Sequence, residues 1–179
     1  AVKMLAPERA AWPQARQRFA REARVAAAIR HENVVAIHAV REQPGWSYLA
    51  MEYVPGASAA TLLQRDGPVA PAAAVRLGGE VGRALYYLHG LDYAHCDVKP
   101  ENVLLAADGA AKLGDLGLAR RMARAGGPLP GVGTPHYMPH EQAVGVGRVD
   151  ERSDVFALAA TLYHLLAGRL PFDGATADD

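Results

Sequence analysis

A cluster of polar residues lies in the middle of the chain, in the stretch YAHCDVKPENVLL from residue 93 to residue 105. Asp97, Lys99 and Asn102 follow one another closely, and Pro100 prevents a regular helix from directing their side chains apart. Carboxylate and amide oxygens suit Mg²⁺, which proteins hold with one or two carboxylates together with substrate phosphates. A solvated loop with an Asx turn would explain each residue singly, but not their concentration.

A second acid, Asp115, follows a predicted β-hairpin. The apolar runs VLL (103–105) and AKL (111–113) flank an Asp-Gly dipeptide at 108 and 109, which is typical of two-residue hairpin turns. The register of such a turn places Asn102 directly across from Asp115. The sequence therefore predicts that the Asn102 amide and the Asp115 carboxylate lie together at the open end of the hairpin and form a site for magnesium and phosphate.

The composition limits the classes of function. Half of the 179 residues are hydrophobic, enough to bury the core of one domain. Nineteen basic residues balance nineteen acidic ones, so no overall charge attracts nucleic acid or anionic lipid. The single cysteine, Cys96, excludes an internal disulfide framework and fits a reducing compartment. The most apolar stretch, 155–167, is shorter than the roughly 20 residues that span a bilayer. We expect a cytoplasmic segment and leave open an anchor elsewhere in the parent protein.

A smaller sheet-rich part precedes a larger helical part. Stretches rich in β-branched and aromatic residues predict strands at the start (AVKML), at 33–40 and at 46–53. Apolar periodicity predicts helices at about 13–30, 59–65, 71–91 and 153–167, and the segment 126–134 is a predicted loop. Because the first residues have the character of a strand interior, we expect the chain to be cut at its start.

Several stretches resemble the protein kinases, specifically the bacterial relatives of the eukaryotic Ser/Thr kinases. HCDVKPEN resembles the catalytic-loop motif His-Arg-Asp with its downstream Asn, and GDLGLAR resembles Asp-Phe-Gly with Leu116 in place of Phe. Five more stretches resemble, in order, the strand-lysine motif, the following helix with its glutamate, the hinge, the Ala-Pro-Glu region and the buried helix beyond it: AVK, FAREARVAAAIRHENVV, YLAMEYVPG, GTPHYMPHEQ and RSDVFALAATLYHLLAGRLPF. The resemblance runs from Ala1 to about Gly174.

The resemblance implies an α+β fold of the bilobal protein kinase type, truncated at both ends. We expect a partial kinase domain over 1–174. Within it, 1–54 would form a sheet-rich N-lobe remnant and hinge, and 55–174 would form part of a mainly helical C-lobe. The residues 175–179 would be a truncated end.

The resemblance also implies roles at the nucleotide. Lys3 would hold the α- and β-phosphates of ATP and pair with Glu22. Met51 would be the gatekeeper behind the adenine, with Glu52 and Val54 offering backbone groups to the base. Each of these has an ordinary structural alternative, since a strand-end lysine often lies on the surface and a strand methionine often packs in a core.

Four residues would act on the transferred phosphoryl group. Asp97 would accept or orient the proton of the substrate hydroxyl, and Lys99 would neutralise the γ-phosphate. Asn102 would hold one Mg²⁺, and Asp115 would bridge the metal to the β- and γ-phosphates.

Five further residues would have structural or regulatory roles. His95 would pack and bond to backbone rather than transfer protons. Cys96 stands where many kinases have an arginine that binds a phosphorylated activation loop, and Thr134 would orient Lys99 and Asp97. Glu141 would pair with an arginine from a later helix. Asp154 would either cap its helix or brace the catalytic-loop backbone.

The implied function is ATP- and Mg²⁺-dependent phosphoryl transfer to Ser or Thr hydroxyls of protein substrates in signalling, with the segment alone weakly active. We expect no nucleic-acid partner and no membrane contact from this segment, and leave the oligomeric state open. A nucleotide-binding pseudokinase or scaffold is the alternative, favoured if the residues before Ala1 lack the glycines of a phosphate-binding loop or if Leu116 disturbs Asp115. A small-molecule phosphotransferase is a third possibility, against which Lys99 and GTPHYMPHEQ favour a protein substrate.

The first prediction concerns activation. No Ser, Thr or Tyr lies between Leu118 and Gly133, and the arginine that would bind such a phosphate is replaced by Cys96. We therefore expect activity to be independent of phosphorylation within that loop. Mass mapping after incubation with ATP should find no activating phosphosite there, and finding one would contradict the prediction.

Overall fold

The computed structural model describes residues 1–5, 19, 29–43, 46–122, 133–145 and 148–172. Its described part is α+β, with strands near the start and most of the helices after them. The strands are β1 (Val2–Leu5), β2 (Ile37–Gln43), β3 (Trp46–Met51), β4 (Tyr93–Ala94), β5 (Val103–Leu105), β6 (Ala111–Leu113) and β7 (Arg120–Arg121). The α-helices are α1 (Ala59–Asp66), α2 (Pro71–Gly90), α3 (His140–Ala143) and α4 (Glu151–Ala167), and single 3₁₀ turns span Pro100–Asn102, Leu116–Leu118 and Pro135–Tyr137.

The first three strands form an antiparallel sheet in the order β1-β3-β2. Its central strand carries Leu49, which is fully buried and lies opposite Lys3 of β1. The predicted strand at 33–40 is wrong at its beginning, because β2 starts only at Ile37. The residues before it bond elsewhere: the Val35 amide donates to the Leu113 carbonyl at 2.9 Å, which ties this segment to β6.

The two long helices pack against each other. α2 begins at Pro71, where the missing amide of proline costs nothing, and continues through three glycines to Gly90. One of these glycines has a packing reason, since a Cβ on Gly78 would approach Leu162 Cδ1 of α4 to 2.9 Å. α4 starts with a capping box. The Asp150 side chain accepts a hydrogen bond from the Arg152 amide, and the Ser153 hydroxyl accepts one from the Asp150 amide.

The hairpin of β5 and β6 corrects the predicted register by one residue. Val103 pairs with Leu113, and the backbone carbonyl of Asn102 accepts a hydrogen bond from the Gly114 amide at 2.8 Å. Asn102 therefore lies opposite Gly114 and not Asp115. The turn is a three-residue loop whose last residue, Gly109, has a left-handed φ of 81°. The two-residue turn fails because it would place Lys112 opposite Leu105 on the buried face, where no charged side chain belongs.

The segment between β3 and α1 lies against this hairpin. The Leu105 amide donates to the Ala57 carbonyl at 2.9 Å, and Ser58 bridges to Leu104. The approach is so close that a Cβ on Gly56 would overlap the Leu105 carbonyl oxygen. This contact holds the connection between the sheet and the helices at a fixed place.

Two predicted segments fall on residues outside the described ranges. The expected helix at 13–30 is described only at Phe19, which is helical and buried, and at its last two positions. The expected loop at 126–134 is described only at Gly133 and Thr134. Among the helices that the structure describes, none has the length and apolar character needed to cross a membrane.

The close approach at Gly56 leads to a stability prediction. Replacing Gly56 with Ala should lower the free energy of unfolding by about 1–3 kcal/mol, because the methyl group forces the Leu105 backbone to move. Gly82→Ala is the matched control: no described atom lies within 4 Å of its added methyl, and it should raise stability by about 0.5–1 kcal/mol. Urea unfolding monitored by circular dichroism measures both, and equal effects would contradict the contact.

Candidate active site

Asp154 anchors the backbone that leads into the polar cluster. Its fully buried carboxylate accepts from the His95 and Cys96 amides through different oxygens, both at 2.8 Å, and contacts His89 Nε2 at 2.8 Å. The helix is capped by Asp150. Of the two roles considered for Asp154, the geometry therefore fits the bracing of the loop and excludes the cap.

His95 and Cys96 lie buried where the loop turns. His95 Nε2 is 3.0 Å from the Gly114 carbonyl, and its Nδ1 accepts from the Asp97 amide at 3.3 Å. These partners require a proton on Nε2 and a bare Nδ1, so the neutral imidazole joins the loop to the strand end before Asp115. Cys96 has a left-handed φ of 67° and places Sγ 3.6 Å from the Ala94 carbonyl.

Three of the predicted residues surround the Asp97 carboxylate. Asn102 Nδ2 donates to the Asp97 carbonyl at 2.7 Å and to Oδ2 at 3.0 Å. Lys99 Nζ lies 2.9 Å from Oδ2 and donates to Thr134 Oγ1 at 2.6 Å. Thr134 Oγ1 is itself 3.3 Å from Asp97 Oδ1. The carboxylate is thus held on both oxygens by an amide, an ammonium and a hydroxyl.

A cleft of about 320 Å³ lies beside this network. Of the predicted residues, Lys3, Met51, Asn102 and Asp115 line it, so the structure brings Asn102 and Asp115 to one cavity despite the shifted register. The apolar lining residues are Val2, Val35, Ile37, Met51, Leu104 and Leu116. Asp97 and Lys99 are not among the lining residues: Asp97 is joined to the cleft through its hydrogen bonds from Asn102, and Lys99 through its ion pair with Asp97.

Asp115 forms an ion pair across the cleft that the sequence did not predict. Lys3 Nζ donates to Asp115 Oδ1 at 2.7 Å, and the Gly117 amide donates to the same oxygen at 3.2 Å. Burial alone would raise the pKa of Asp115, but the hydrogen bond and charge of Lys3, with the Gly117 amide, outweigh it and lower the pKa. The predicted partner of Lys3, Glu22, lies outside the described residues.

The predicted hinge residues differ in their positions. Met51 lines the cleft, whereas Glu52 and Val54 are not among its lining residues. The Glu52 amide already donates to the Ala36 carbonyl at 2.8 Å. Val54 is buried.

The Ala-Pro-Glu-like region lies against the start and the end of α4. Glu141 accepts from Ser153 Oγ at 2.6 Å, and Tyr137 Oη lies 2.6 Å from His164 Nδ1. Burial raises the pKa of the Tyr137 phenol, and the nearby Glu101 charge adds to this. Burial lowers the pKa of His164, although the negative charge of Glu101 acts in the opposite direction.

Glu101 was missed by the sequence analysis. It lines the cleft described above and also a second cavity of about 400 Å³ formed with α1, His164 and Gly168. Its place between Pro100 and Asn102 in the catalytic loop was the only available signal.

The buried Asp154 leads to the third prediction. In Asp154→Asn one oxygen becomes an amide donor that faces the backbone amide of residue 95 or 96, so a buried donor loses its acceptor. The free energy of unfolding should fall by about 1–3 kcal/mol. Asp66→Asn, at an exposed acid of α1, is the control and should leave urea unfolding unchanged. Equal midpoints for the two variants would contradict the anchoring role.

Comparison with known proteins matches residues 1–179 to the protein kinase domain. The chain is 38% identical to the serine/threonine-protein kinase PknB of Mycolicibacterium smegmatis over 97% of this chain and 29% of that protein. It is 36% identical to PknE of Mycobacterium bovis (97% and 31%) and 34% identical to PrkC of Bacillus subtilis (90% and 25%). The chain thus spans less than a third of the length of these relatives. By its sequence match and its α+β fold, this chain belongs to the protein kinase family.

Proposed function

We propose that the chain is the catalytic region of a Ser/Thr protein kinase, which transfers the γ-phosphate of Mg-ATP to hydroxyl groups of protein substrates. One observation carries the proposal: Asp97 is fixed by Asn102, Lys99 and Thr134, and Asn102 also lines a cleft that contains the Lys3–Asp115 pair. The names of the matched relatives, all serine/threonine-protein kinases, support the same acceptor class.

The donor set fits Mg²⁺ and a nucleotide. Both hydrogen bonds of Asn102 Nδ2 go to Asp97, so its Oδ1 is the atom that could coordinate a cation, as could the Asp115 carboxylate. The cavity volume lies within the usual range of about 300–1,000 Å³ for small-molecule sites, and its lining is mostly apolar, as a planar base requires. When bound, Mg²⁺ would neutralise the charge that develops on the phosphates.

The network around Asp97 would orient the acceptor. Hydrogen bonds from Asn102 and Thr134 hold the carboxylate in one rotamer, from which it would accept a hydrogen bond from the substrate hydroxyl and then its proton. Lys99 is held between Asp97 and Thr134, where its charge would stabilise the transferred phosphoryl group. Lys3 would exchange Asp115 for phosphate oxygens when a nucleotide binds.

One of the two conditions that would favour the pseudokinase alternative is that Leu116 disturbs Asp115. Leu116 is buried in the main core, and Asp115 adopts a left-handed conformation in which its own side chain accepts from the Gly117 amide. A leucine therefore fills its place without displacing the acid, which favours the catalytic interpretation. The Lys99–Thr134 contact favours a protein acceptor over a small molecule.

Asp97→Asn tests the chemistry. An amide can orient a hydroxyl but cannot accept its proton, so kcat for phosphate transfer to a generic basic protein should fall about 10²- to 10⁴-fold. Binding of Mg-ATP, followed by calorimetry, should persist because Asp97 does not line the cleft. Asp66→Asn is the matched control and should keep the wild-type rate.

Two results would count against the proposal. A wild-type protein that binds Mg-ATP without transferring phosphate would support the pseudokinase. Equal rates for wild type and Asp97→Asn would exclude Asp97 as the base.

A further inference from the structure

An ion pair outside the cleft joins two separate parts of the chain. Lys112 lies on β6 and Glu52 is the first residue after β3. The distance between Lys112 Nζ and Glu52 Oε1 is 2.8 Å. Neither of the two side chains lines the cleft. The exposed fractions of the two side chains are 20% and 27%, so the pair is largely shielded from water.

The second oxygen of Glu52 binds a third segment. Glu52 Oε2 accepts from the Ala36 amide at 3.1 Å, and the Glu52 amide donates to the Ala36 carbonyl at 2.8 Å. Glu52 therefore connects three segments: it follows β3 directly, it is hydrogen-bonded to the segment before β2, and it forms an ion pair with Lys112 of β6.

Each of these three attachment points adjoins residues that line the cleft. Met51 precedes Glu52, and Val35 and Ile37 flank Ala36. Leu104, the cross-strand partner of Lys112, also lines it. Directly after the strand of Lys112, Gly114 and Asp115 also line the cleft. A shift of any attachment point would change the distance between opposite walls.

We propose that the Lys112–Glu52 pair is a positioning clamp that sets the spacing of the cleft walls and thereby the affinity for nucleotide. The inference rests on the proposed function, because it takes Mg-ATP as the ligand of the cleft. It goes further by assigning a positioning role to the side chains of two residues that do not line the cleft.

The electrostatics support a charged clamp. Burial alone would raise the pKa of Glu52, but the Lys112 hydrogen bond, the Ala36 amide and the charges of Lys112 and His38 outweigh it and lower the pKa. Glu52 is therefore ionised at neutral pH. The Arg65–Asp66 pair provides a contrast, since its side chains are 64% and 54% exposed and both lie on α1.

A double-mutant cycle on the intact protein tests the clamp. Lys112→Met keeps an unbranched side chain that is one atom shorter and removes the charge, while Glu52→Gln keeps an oxygen for the Ala36 amide. Each single variant should raise the Kd and the KM for Mg-ATP by about three- to tenfold with kcat changed less than about twofold, and the double variant should match either single variant. Lys112→Arg should restore the wild-type KM, and Arg65→Met is the control that should leave it unchanged.

The outcomes separate the two proposals. Wild-type KM in both single variants, or effects that simply add in the double variant, would overturn the clamp while leaving kinase activity intact. A wild-type protein that binds no nucleotide would overturn the kinase proposal together with the clamp. If Lys112→Met lowers the melting temperature severely, Lys112→Arg and Glu52→Gln decide: a KM raised in Glu52→Gln and normal in Lys112→Arg supports the clamp, and any other combination overturns it.

Discussion

The buried carboxylate of Asp154 is the constraint on which the site depends. A charge taken fully out of water is costly unless hydrogen bonds replace the lost hydration, and Asp154 receives them from the His95 and Cys96 amides and from His89. This requirement is reciprocal, because the two amides are themselves buried and need an acceptor. The loop that presents Asp97 is therefore fixed from beneath by the core, before any ligand contributes.

The sequence predicted most of the elements but not the register that joins them. Apolar periodicity located α1, α2 and α4 to within about two residues, and the hairpin strands were correct. The turn was misjudged because the Asp-Gly dipeptide also suits a three-residue loop that ends in a left-handed glycine. The alternation of burial decides between them, since Leu105 and Ala111 pair on the buried face and Lys112 points away from it. The apolar and charged residue types of the two strands therefore specify the register more strongly than the Asp-Gly dipeptide does.

The contacts between charged residues could not be predicted, because each joins segments far apart in the chain. Lys3 is bonded to Asp115, and Glu52 to Lys112, and nothing in the local sequence of either residue specifies the distant partner. The motif resemblance supplied candidate site residues, of which Lys3, Met51, Asn102 and Asp115 line one cleft in the structure. It gave no account of how Glu52 uses both carboxylate oxygens, which follows from the arrangement of β3, the segment before β2 and β6.

A cysteine at position 96, where the resemblance to kinases predicts an arginine, is compatible with this loop for a physical reason. A left-handed conformation costs a non-glycine residue roughly 1–2 kcal/mol, so the surrounding structure must impose it. Both peptide groups of Cys96 are held: its amide donates to Asp154 of α4, and its carbonyl accepts from Gln142 Nε2 of α3 at 2.8 Å. These bonds use only the backbone of residue 96, so they do not depend on which side chain it carries. The loop geometry around Asp97 is therefore independent of the charge that an arginine would have contributed.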